Sequence, residues 1–378
     1  MKNLKRLFCL AIVLIIISAQ VSAIEDIGEK NNPANEMKIR MVLFTPADKS
    51  LPEEYKERYK QVADYAESFF SKWMNHWGYS CKNPLKIERD EQGYPNILVV
   101  KGKQNYDFEG YQKLNGIRKE VVERAKSEYG ISDEKQVWWI LNYPRRNRGS
   151  RGGGNVQNGG TCFANYVDAE APIEIDADFA SGIAEEILLK SLIHELTHAL
   201  GVGHIGPRIE RDLGNSLMGP VNKAYKKFYE NDSRVYLSEA AAAILWKHPL
   251  FDGNENESYF TPKVQMENVN VSFNKSKGQI LVEGKLKSNS TAHSVVISDA
   301  SKGNKSPYWH RAFVSKVNPD GTFKCEIFEL KEANGELVVG FCFKNGAITG
   351  NGTKLGLNSS GIKIPYYFSV DNFTFDIK

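Results

Sequence analysis

The chain has 378 residues, of which 25% are charged and 41% are hydrophobic. This composition is typical of a soluble globular protein and excludes collagen-like, disordered and polytopic membrane proteins. Lys2, Lys5 and Arg6 account for the whole formal net charge of +3, so the rest of the chain is neutral. Charge therefore gives no argument for a nucleic-acid partner. The length predicts about two domains.

The N-terminus has the pattern of a secretory signal peptide over residues 1–23. A basic start precedes an apolar stretch and the small residues Val21, Ser22 and Ala23, which predicts cleavage before Ile24. A single membrane anchor is the alternative, but the stretch falls short of the roughly 20 residues that span a bilayer. We expect a secreted protein, extracellular or periplasmic, with no stable membrane insertion after cleavage. Residues 24–36 are predicted to form a short leader.

Residues 37–250 are predicted to form one domain of alternating strands and helices. The order of these elements indicates an α/β layer with several parallel strands. Strands are predicted at 38–45, 96–102 and 137–143, and helices at 52–77, 110–130 and 181–200. The Gly-rich basic segment 145–160 is predicted to be a solvated loop, and the next segment, 161–168, an edge strand.

The sequence pattern changes at the end of this domain. A helix over residues 238–248, with Ser238 as its N-cap, is followed by a linker at 251–263. The spacing of Asp252, Asn254 and Asn256 faintly resembles a calcium loop, but a solvated linker is the preferred interpretation. Residues 264–378 contain about seven short alternating segments separated by turns. They predict an all-β sandwich of immunoglobulin-like or fibronectin-like type.

Export makes disulfide bonds possible. Cys81, Cys162, Cys325 and Cys342 remain after cleavage and allow three pairings, among which sequence alone does not decide. The two-domain division favours Cys81–Cys162 and Cys325–Cys342, because each pair then stays within one domain. Their spacing does not predict a cysteine zinc site or a redox motif.

The predicted helix at 181–200 carries the residues most suggestive of chemistry. His194 and His198 are four residues apart, so both imidazoles project from one helix face and can share an ion. Gly201 can adopt positive φ and end the helix, and the turn after it brings His204 back as a third ligand. Three imidazoles leave one tetrahedral position for water, as in catalytic zinc sites. Glu195 lies about 100° around the helix axis, where it can hold that water.

These residues match the pattern HExxHxxGxxH, and the chain resembles the metzincin clan of zinc peptidases. Met218, 14 residues after His204, is the match to the methionine turn of that clan. The resemblance covers residues 37–250 and implies a zincin-like α/β (α+β) catalytic domain with a mixed sheet and an active-site helix. It implies one catalytic zinc ion, with calcium unsupported.

The chain also departs from that pattern. Pro220 stands where some branches of the clan place a tyrosine that stabilises the oxyanion, and Tyr225 is too far along to replace it. No tyrosine is therefore assigned a catalytic role, and the branch stays unassigned. No long pro-segment precedes the domain, so latency controlled by a propeptide is not expected.

These features predict a secreted zinc-dependent endopeptidase. Zinc would lower the pKa of its bound water towards 7 and stabilise the oxyanion, while Glu195 would move the proton from water to the leaving amine. The substrate, a protein or peptide, would lie extended against the strand at 161–168. A non-catalytic adhesion or binding protein on a metzincin scaffold is the alternative, and metal-dependent hydrolysis of another bond is a third possibility. The presence of Glu195 favours the enzyme.

The other candidate residues are given structural interpretations. His76, His248, His293 and His310 are predicted to be structural or surface residues. Three acidic residues that could orient a ligating histidine are more simply loop carboxylates and helix caps; they are Asp168, Asp176 and Asp178. The C-terminal domain could bind a glycan, a cell surface or a protein. It contains most of eight Asn-x-Ser/Thr triplets, which would accept glycans only in a eukaryotic secretory route.

Overall fold

The computed structural model places Met37–Lys378 in one compact unit. It describes residues 36–81, 83–146, 149–166, 168, 171–179, 183, 187–206, 213–219, 233–251, 259–299, 310–328, 333–349, 362–369 and 374–377. The predicted signal peptide and leader, except Glu36, and most of the predicted linker lie outside these residues. In the part of the chain that is described, no helix is both long and apolar enough to cross a membrane.

The first half of the chain forms a mixed five-stranded sheet with the order β2-β1-β3-β5-β4. Four strands run parallel, and β4 pairs antiparallel with β5. The strands are β1 (Lys38–Thr45), β2 (Ile97–Lys101), β3 (Gln136–Asn142), β4 (Arg151–Asn155) and β5 (Gly159–Asn165). The mixed sheet is therefore observed.

Helices cover both faces of this sheet. They are α1 (Tyr55–His76), α2 (Glu109–Gln112), α3 (Asn115–Tyr129), α4 (Leu189–Ala199) and α5 (Glu239–Leu245). On β1, Met41 and Leu43 belong to the buried cluster with α1 and α4, whereas Val42 and Phe44 belong to the cluster with α3. Because both faces are covered, Met41, Val42, Leu43 and Phe44 are all buried, which explains the continuous apolar run in the middle of β1.

Two predictions about this sheet are wrong. The Gly-rich segment predicted to be a solvated loop contains β4, which is the last strand of the sheet among the described residues. The segment predicted to be the edge strand is β5, and it lies between β3 and β4. Both errors have one cause. Glycine has a low intrinsic preference for strands, and β4 is a strand because the glycines admit a helix packed closely against it.

Local signals place several helix ends correctly. The helix α3 ends at Gly130, which has φ 66°, and Ser238 caps α5 with its Oγ, which accepts a hydrogen bond from the Ala241 N–H at 3.3 Å. The predicted helix that carries the histidines is interrupted at Leu188, and most of residues 180–186 lie outside the described part of the chain. Leu188 adopts a left-handed conformation with φ 51°, and α4 begins at Leu189.

The C-terminal part of the chain forms two antiparallel sheets, with the orders β11-β10-β13-β14-β15 and β12-β9-β8. Their strands are β8 (Val264–Asn274), β9 (Gln279–Ser288), β10 (Ala292–Asp299), β11 (Arg311–Lys316), β12 (Thr322–Ile327), β13 (Ala333–Phe343), β14 (Ile362–Ser369) and β15 (Thr374–Ile377). Apolar residues of both sheets share one buried cluster, to which β9 gives Val282 and β13 gives Phe341. Other side chains of the larger sheet, including Val296 and Ala312, join the cluster of the first half instead.

The predicted disulfide bonds are not present. None of the four cysteines in the described residues is joined in a disulfide, and all are buried. Cys325 lies in the cluster between the C-terminal sheets, whereas Cys342 lies in the cluster with the helices of the first half. Cys81 donates from Sγ to the Phe251 carbonyl at 3.3 Å, so its sulfur is directed to the main chain. The thiols thus act as small apolar core groups.

Candidate metal centre

The helix α4 and the turn after it bring three histidines together. His194 and His198 lie one turn apart on α4, which ends before Gly201 at φ 91°. The turn returns His204 so that its Nε2 lies 2.9 Å from Nε2 of His198 and 3.3 Å from Nε2 of His194. Among the described residues, this is the group of three or more His, Cys, Asp or Glu side chains that could hold a metal ion.

Main-chain carbonyls orient two of these imidazoles. Nδ1 of His194 lies 2.7 Å from the Leu217 carbonyl oxygen, and Nδ1 of His198 lies 2.8 Å from the Val202 carbonyl oxygen. Because a carbonyl only accepts, each Nδ1 carries the proton and each Nε2 keeps a lone pair directed at the common point. Neutral imidazoles with this arrangement suit a divalent transition metal such as zinc. The donor set therefore fits the ion.

The segment Asn215–Ser216 (β6) positions the Leu217 carbonyl. It pairs in parallel with Val235–Tyr236 (β7), and the Leu217 N–H donates to the Tyr236 carbonyl at 2.8 Å. Met218 follows directly and is fully buried in the main core cluster. The predicted methionine turn thus lies next to the carbonyl that orients His194. Pro220 and Tyr225 lie outside the described residues.

Glycines bring the sheet unusually close to this helix. A Cβ atom on Gly152 would lie 2.2 Å from the Glu195 carbonyl oxygen, and one on Gly154 would lie 2.0 Å from the Ala199 carbonyl oxygen. On β5, a Cβ on Gly160 would lie 2.2 Å from the same Ala199 oxygen. A side chain at any of these positions would push α4 away, so the glycines set the distance between the sheet and the histidines.

Burial controls the proton affinities at this centre. It raises the pKa of Glu195 to about 7 and lowers the pKa of His204 to about 3. Burial holds the pKa of His194 well below its usual range, and the neighbouring His198 is the second cause of this shift. Lys190 lies one turn before His194, and burial lowers its pKa to about 7. The three imidazoles are therefore neutral at physiological pH, which is the form that binds metal.

A polar groove lies on the other face of β4. Its volume is about 390 Å³, and it is lined by Arg118, Asp133, Arg151, Gly153 and Thr161 among others. Arg118 donates to both carboxylate oxygens of Asp133 at 2.8 and 2.9 Å and to Thr161 Oγ1 at 3.0 Å. A Cβ on Gly153 would meet nothing within 4 Å, so this side of the strand is open.

The remaining sequence candidates contact other parts of the molecule. His76 is exposed beside Trp73 and Trp77, His248 is buried, and His293 packs against Trp246. Asp178 accepts a hydrogen bond from Ser233 at 2.9 Å, and Asp168 accepts one from the Tyr143 hydroxyl, which raises the pKa of Tyr143. Carbonyls, and not these carboxylates, orient His194 and His198.

Sequence reasoning missed three contributions to this centre. The carbonyls of Leu217 and Val202 left no sequence signal, because any residue supplies a carbonyl. The main chain of His310 bonds to His204 and Gly206 across a separation of more than 100 residues. The glycines did leave a signal, since Gly152 and Gly154 alternate on one face of a strand and small residues at such spacing indicate close packing.

Fold and site together define a mixed α/β chain with a three-histidine cluster that could hold a metal. No protein-family model matches the chain, and no curated protein matches it. Solved structures of OgpA from Akkermansia muciniphila are similar. One of wild-type OgpA has 19% sequence identity and a TM-score of 0.64, over 91% of this chain and 95% of that chain. Another, of catalytically inactive OgpA with an O-glycopeptide substrate, has 18% identity and the same TM-score, over 91% and 96%. At these identities the similarity shows a shared fold.

Proposed function

We propose that the chain is a secreted zinc-dependent endopeptidase. Convergence of the Nε2 atoms of His194, His198 and His204 is the main support, because it forms a metal site on the helix that also carries Glu195. The metzincin resemblance of the sequence is consistent with this function. The fold shared with OgpA, which was solved with an O-glycopeptide substrate, supports hydrolysis of peptide bonds.

The proposed mechanism assigns one task to each group. Zinc would supply a Lewis acid that activates water and stabilises negative charge on the substrate carbonyl. Glu195 accepts the proton of the attacking water and passes it to the leaving amine. Burial raises the pKa of this carboxyl and so strengthens it as a base, whereas the positive charge of a bound zinc ion would act in the opposite direction. The carbonyls of Leu217 and Val202 hold two imidazoles in the ligating tautomer.

The substrate would lie along β4. The sequence alone predicted that it would lie along the segment 161–168 instead. The strand β4 is the last of its sheet among the described residues, and Gly152 lies against the Glu195 carbonyl. An extended peptide that adds to β4 is therefore held beside the histidines by main-chain hydrogen bonds. Such pairing recognises backbone, so sequence preference would come from the pockets beside it.

The groove on the far face of β4 favours glycosylated peptides as substrates. Side chains of a paired peptide alternate between the two faces of the sheet. Every second residue would therefore be directed towards the groove of about 390 Å³ that contains Arg118, Asp133 and Arg151. Charged and amide side chains in an open groove can bind the hydroxyl groups of a sugar, and OgpA provides a precedent for an O-glycopeptide substrate.

We also propose export through the signal peptide at residues 1–23, and an immunoglobulin-like sandwich formed by the two C-terminal sheets. The buried cluster that the sheets share supports the sandwich. Its ligand would be a glycan, a cell surface or a protein.

A cleavage survey tests the proposed function. The mature chain from Ile24, its Glu195→Gln variant and a chelator-treated sample are incubated with a mixture of O-glycosylated peptides and their unglycosylated counterparts. Mass spectrometry then identifies the new termini. We expect cleavage by the untreated wild type alone, with the glycosylated peptides preferred.

Two results would contradict this proposal. An active Glu195→Gln variant would remove Glu195 from the mechanism. A zinc-loaded wild type that cleaves no peptide would favour the alternative, a secreted adhesion or binding protein on the same scaffold. Equal cleavage of both peptide sets would support the peptidase activity but would contradict a preference for glycosylated peptides.

A further inference from the structure

The C-terminal part of the chain is hydrogen-bonded directly to the loop that carries the third histidine. The His310 N–H donates to the His204 carbonyl at 3.0 Å, and the Gly206 N–H donates to the His310 carbonyl at 3.1 Å. These bonds form a parallel β-bridge between Ile205 and His310. The residue just before β11 thus pairs with the loop at His204 as a neighbouring strand would.

His204 differs from the other two histidines in how its main chain is held. The hydrogen bonds of α4 fix the backbone of His194 and His198. His204 lies beyond the end of that helix, in a loop that turns at Gly201. The bridge to His310 supplies this loop with strand-like hydrogen bonds on both sides of Ile205, whose side chain is 1% exposed.

The anchor at His310 is itself firmly held. The next residue, Arg311, is buried and forms an ion pair with Asp299 of the neighbouring strand β10. The same carboxylate accepts a hydrogen bond from the Tyr366 hydroxyl at 2.7 Å. Because Arg311 and Asp299 are 1% and 0% exposed, this network fixes the start of β11 inside the C-terminal sheet.

The larger C-terminal sheet also packs on the half of the chain that contains the histidines. Val296, Ala312 and Cys342 belong to the same buried cluster as Leu200 and Met218. The Tyr79 hydroxyl and the Ser294 hydroxyl lie 3.2 Å apart within this contact. A buried apolar contact of this kind allows little movement between the sheet and the loop.

We propose that the larger C-terminal sheet helps to set the geometry of the metal centre. His310 is a positioning residue that acts through its main chain, and it holds His204 at the point where the imidazole reaches the ion bound by His194 and His198. The proposal rests on the metal-binding step of the proposed function and is independent of what the enzyme cleaves. Groups that orient metal ligands typically contribute 10–100-fold to metal affinity, and we expect the same of this bridge.

One pair of variants separates the main chain of His310 from its side chain. His310→Pro removes the N–H that donates to His204, whereas His310→Ala keeps both main-chain hydrogen bonds and lacks only the imidazole. Zinc affinity is measured by competition with a chromophoric chelator, and ligand geometry by the visible spectrum of the cobalt-substituted protein. We expect His310→Pro to bind zinc about 10–100-fold more weakly with an altered cobalt spectrum. His310→Ala should match the wild type.

Hydrogen exchange gives a second test. It uses the wild-type protein alone, so it does not depend on whether a variant folds. Coupling is reciprocal, so zinc binding at His204 must slow the exchange of the His310 amide. We expect zinc to protect the peptides that cover residues 204–206 and 310–316, while the β8–β9 turn at residues 274–279 stays unchanged. Absence of peptidase activity would affect neither experiment.

Four results would overturn the proposal. A folded His310→Pro variant with wild-type zinc affinity and cobalt spectrum would show that the bridge does not position His204. Equal weakening by His310→Ala would assign the effect to the imidazole. Exchange at 310–316 that is indifferent to zinc would show that the sheet and the ion are uncoupled, and a wild type that binds no zinc would remove the metal site itself.

Discussion

Gly154 lies so close to α4 that a Cβ atom added to it would be 2.0 Å from the carbonyl oxygen of Ala199. This is far inside van der Waals contact, and the atom it meets belongs to the backbone of the helix that carries the histidines. Gly153, the next residue on the same strand, faces the opposite side, where an added Cβ would meet nothing within 4 Å. Gly153 therefore has room for a side chain, whereas Gly154, its neighbour on the same strand, has none.

Alanine substitution at these glycines should have opposite results. Gly154→Ala forces α4 or β4 to move, and we expect a loss of about 1–3 kcal/mol of unfolding free energy. Gly153→Ala meets no atom, and by restricting the unfolded chain it should be neutral or stabilising by up to about 1 kcal/mol. Chemical denaturation of both variants measures the difference. Equal stabilities would show that α4 does not pack against the strand as described.

The Glu195→Gln substitution should separate metal binding from turnover. The amide cannot accept the proton of the attacking water, so we expect kcat to fall by about 10²- to 10⁴-fold. Zinc content should stay at the wild-type level, because the three imidazoles are intact. His198→Ala serves as the comparison and should lose both zinc and activity. A Glu195→Gln variant without zinc would indicate a structural role for this carboxylate.

Removal of the metal should lower thermal stability. Zinc binds only the folded arrangement of three imidazoles, so free zinc at about 1,000 times its Kd should add about 4 kcal/mol to the free energy of unfolding. Thermal denaturation with zinc and with a chelator measures this difference in Tm. The same comparison on His194→Ala should show a much smaller shift. Equal Tm values for the wild type with and without zinc would contradict the site.

His248 should make the protein sensitive to acid. It is fully buried, its Nδ1 accepts a hydrogen bond from the Leu250 N–H at 3.2 Å, and burial lowers its pKa to about 3. The unfolded chain binds a proton near pH 6.5 and the folded chain does not, so stability is present above pH 6.5 and is lost as the pH falls. By pH 5 this one residue should cost about 2 kcal/mol relative to neutral pH.

The His248→Asn variant tests this effect, since its Oδ1 can replace Nδ1 as the acceptor. Unfolding free energies at pH 7 and pH 5 should differ by about 2 kcal/mol less in this variant than in the wild type. His76→Asn, at an exposed histidine, is the control and should keep the wild-type difference. An unchanged pH dependence in His248→Asn would show that this residue is not the source.

Local periodicity made part of this molecule predictable. Helical spacing places His194 and His198 on one face without any knowledge of the rest of the chain, and a glycine three residues after His198 predicts the turn. Ser238 begins α5 and Gly130 ends α3 by hydrogen bonds to residues no more than five positions away in the sequence. Features of this kind depend on a few neighbouring residues, so a single sequence contains enough information to locate them.

Features that depend on distant packing were not predictable. The strand β4 contains three consecutive glycines, and its place in the sheet depends on how closely α4 approaches. The predicted disulfide bond between Cys325 and Cys342 is wrong because the two residues lie in different buried clusters. Which cluster each residue joins depends on how the sheets pack. The bridge between Ile205 and His310 joins segments that are more than 100 residues apart in the sequence and involves only main-chain atoms.

The four cysteines of the described residues are buried free thiols, so this part of the fold contains no disulfide bond for redox conditions to change. Burial holds the pKa of Cys162 well above its usual range and raises that of Cys325 and Cys342 to about 12, so almost none of these thiols is ionised at neutral pH. A thiol that is neither ionised nor exposed reacts slowly with oxidants and alkylating agents. The chain can therefore reach this fold without an oxidising catalyst, and a reductant would find no bond in the described residues to break.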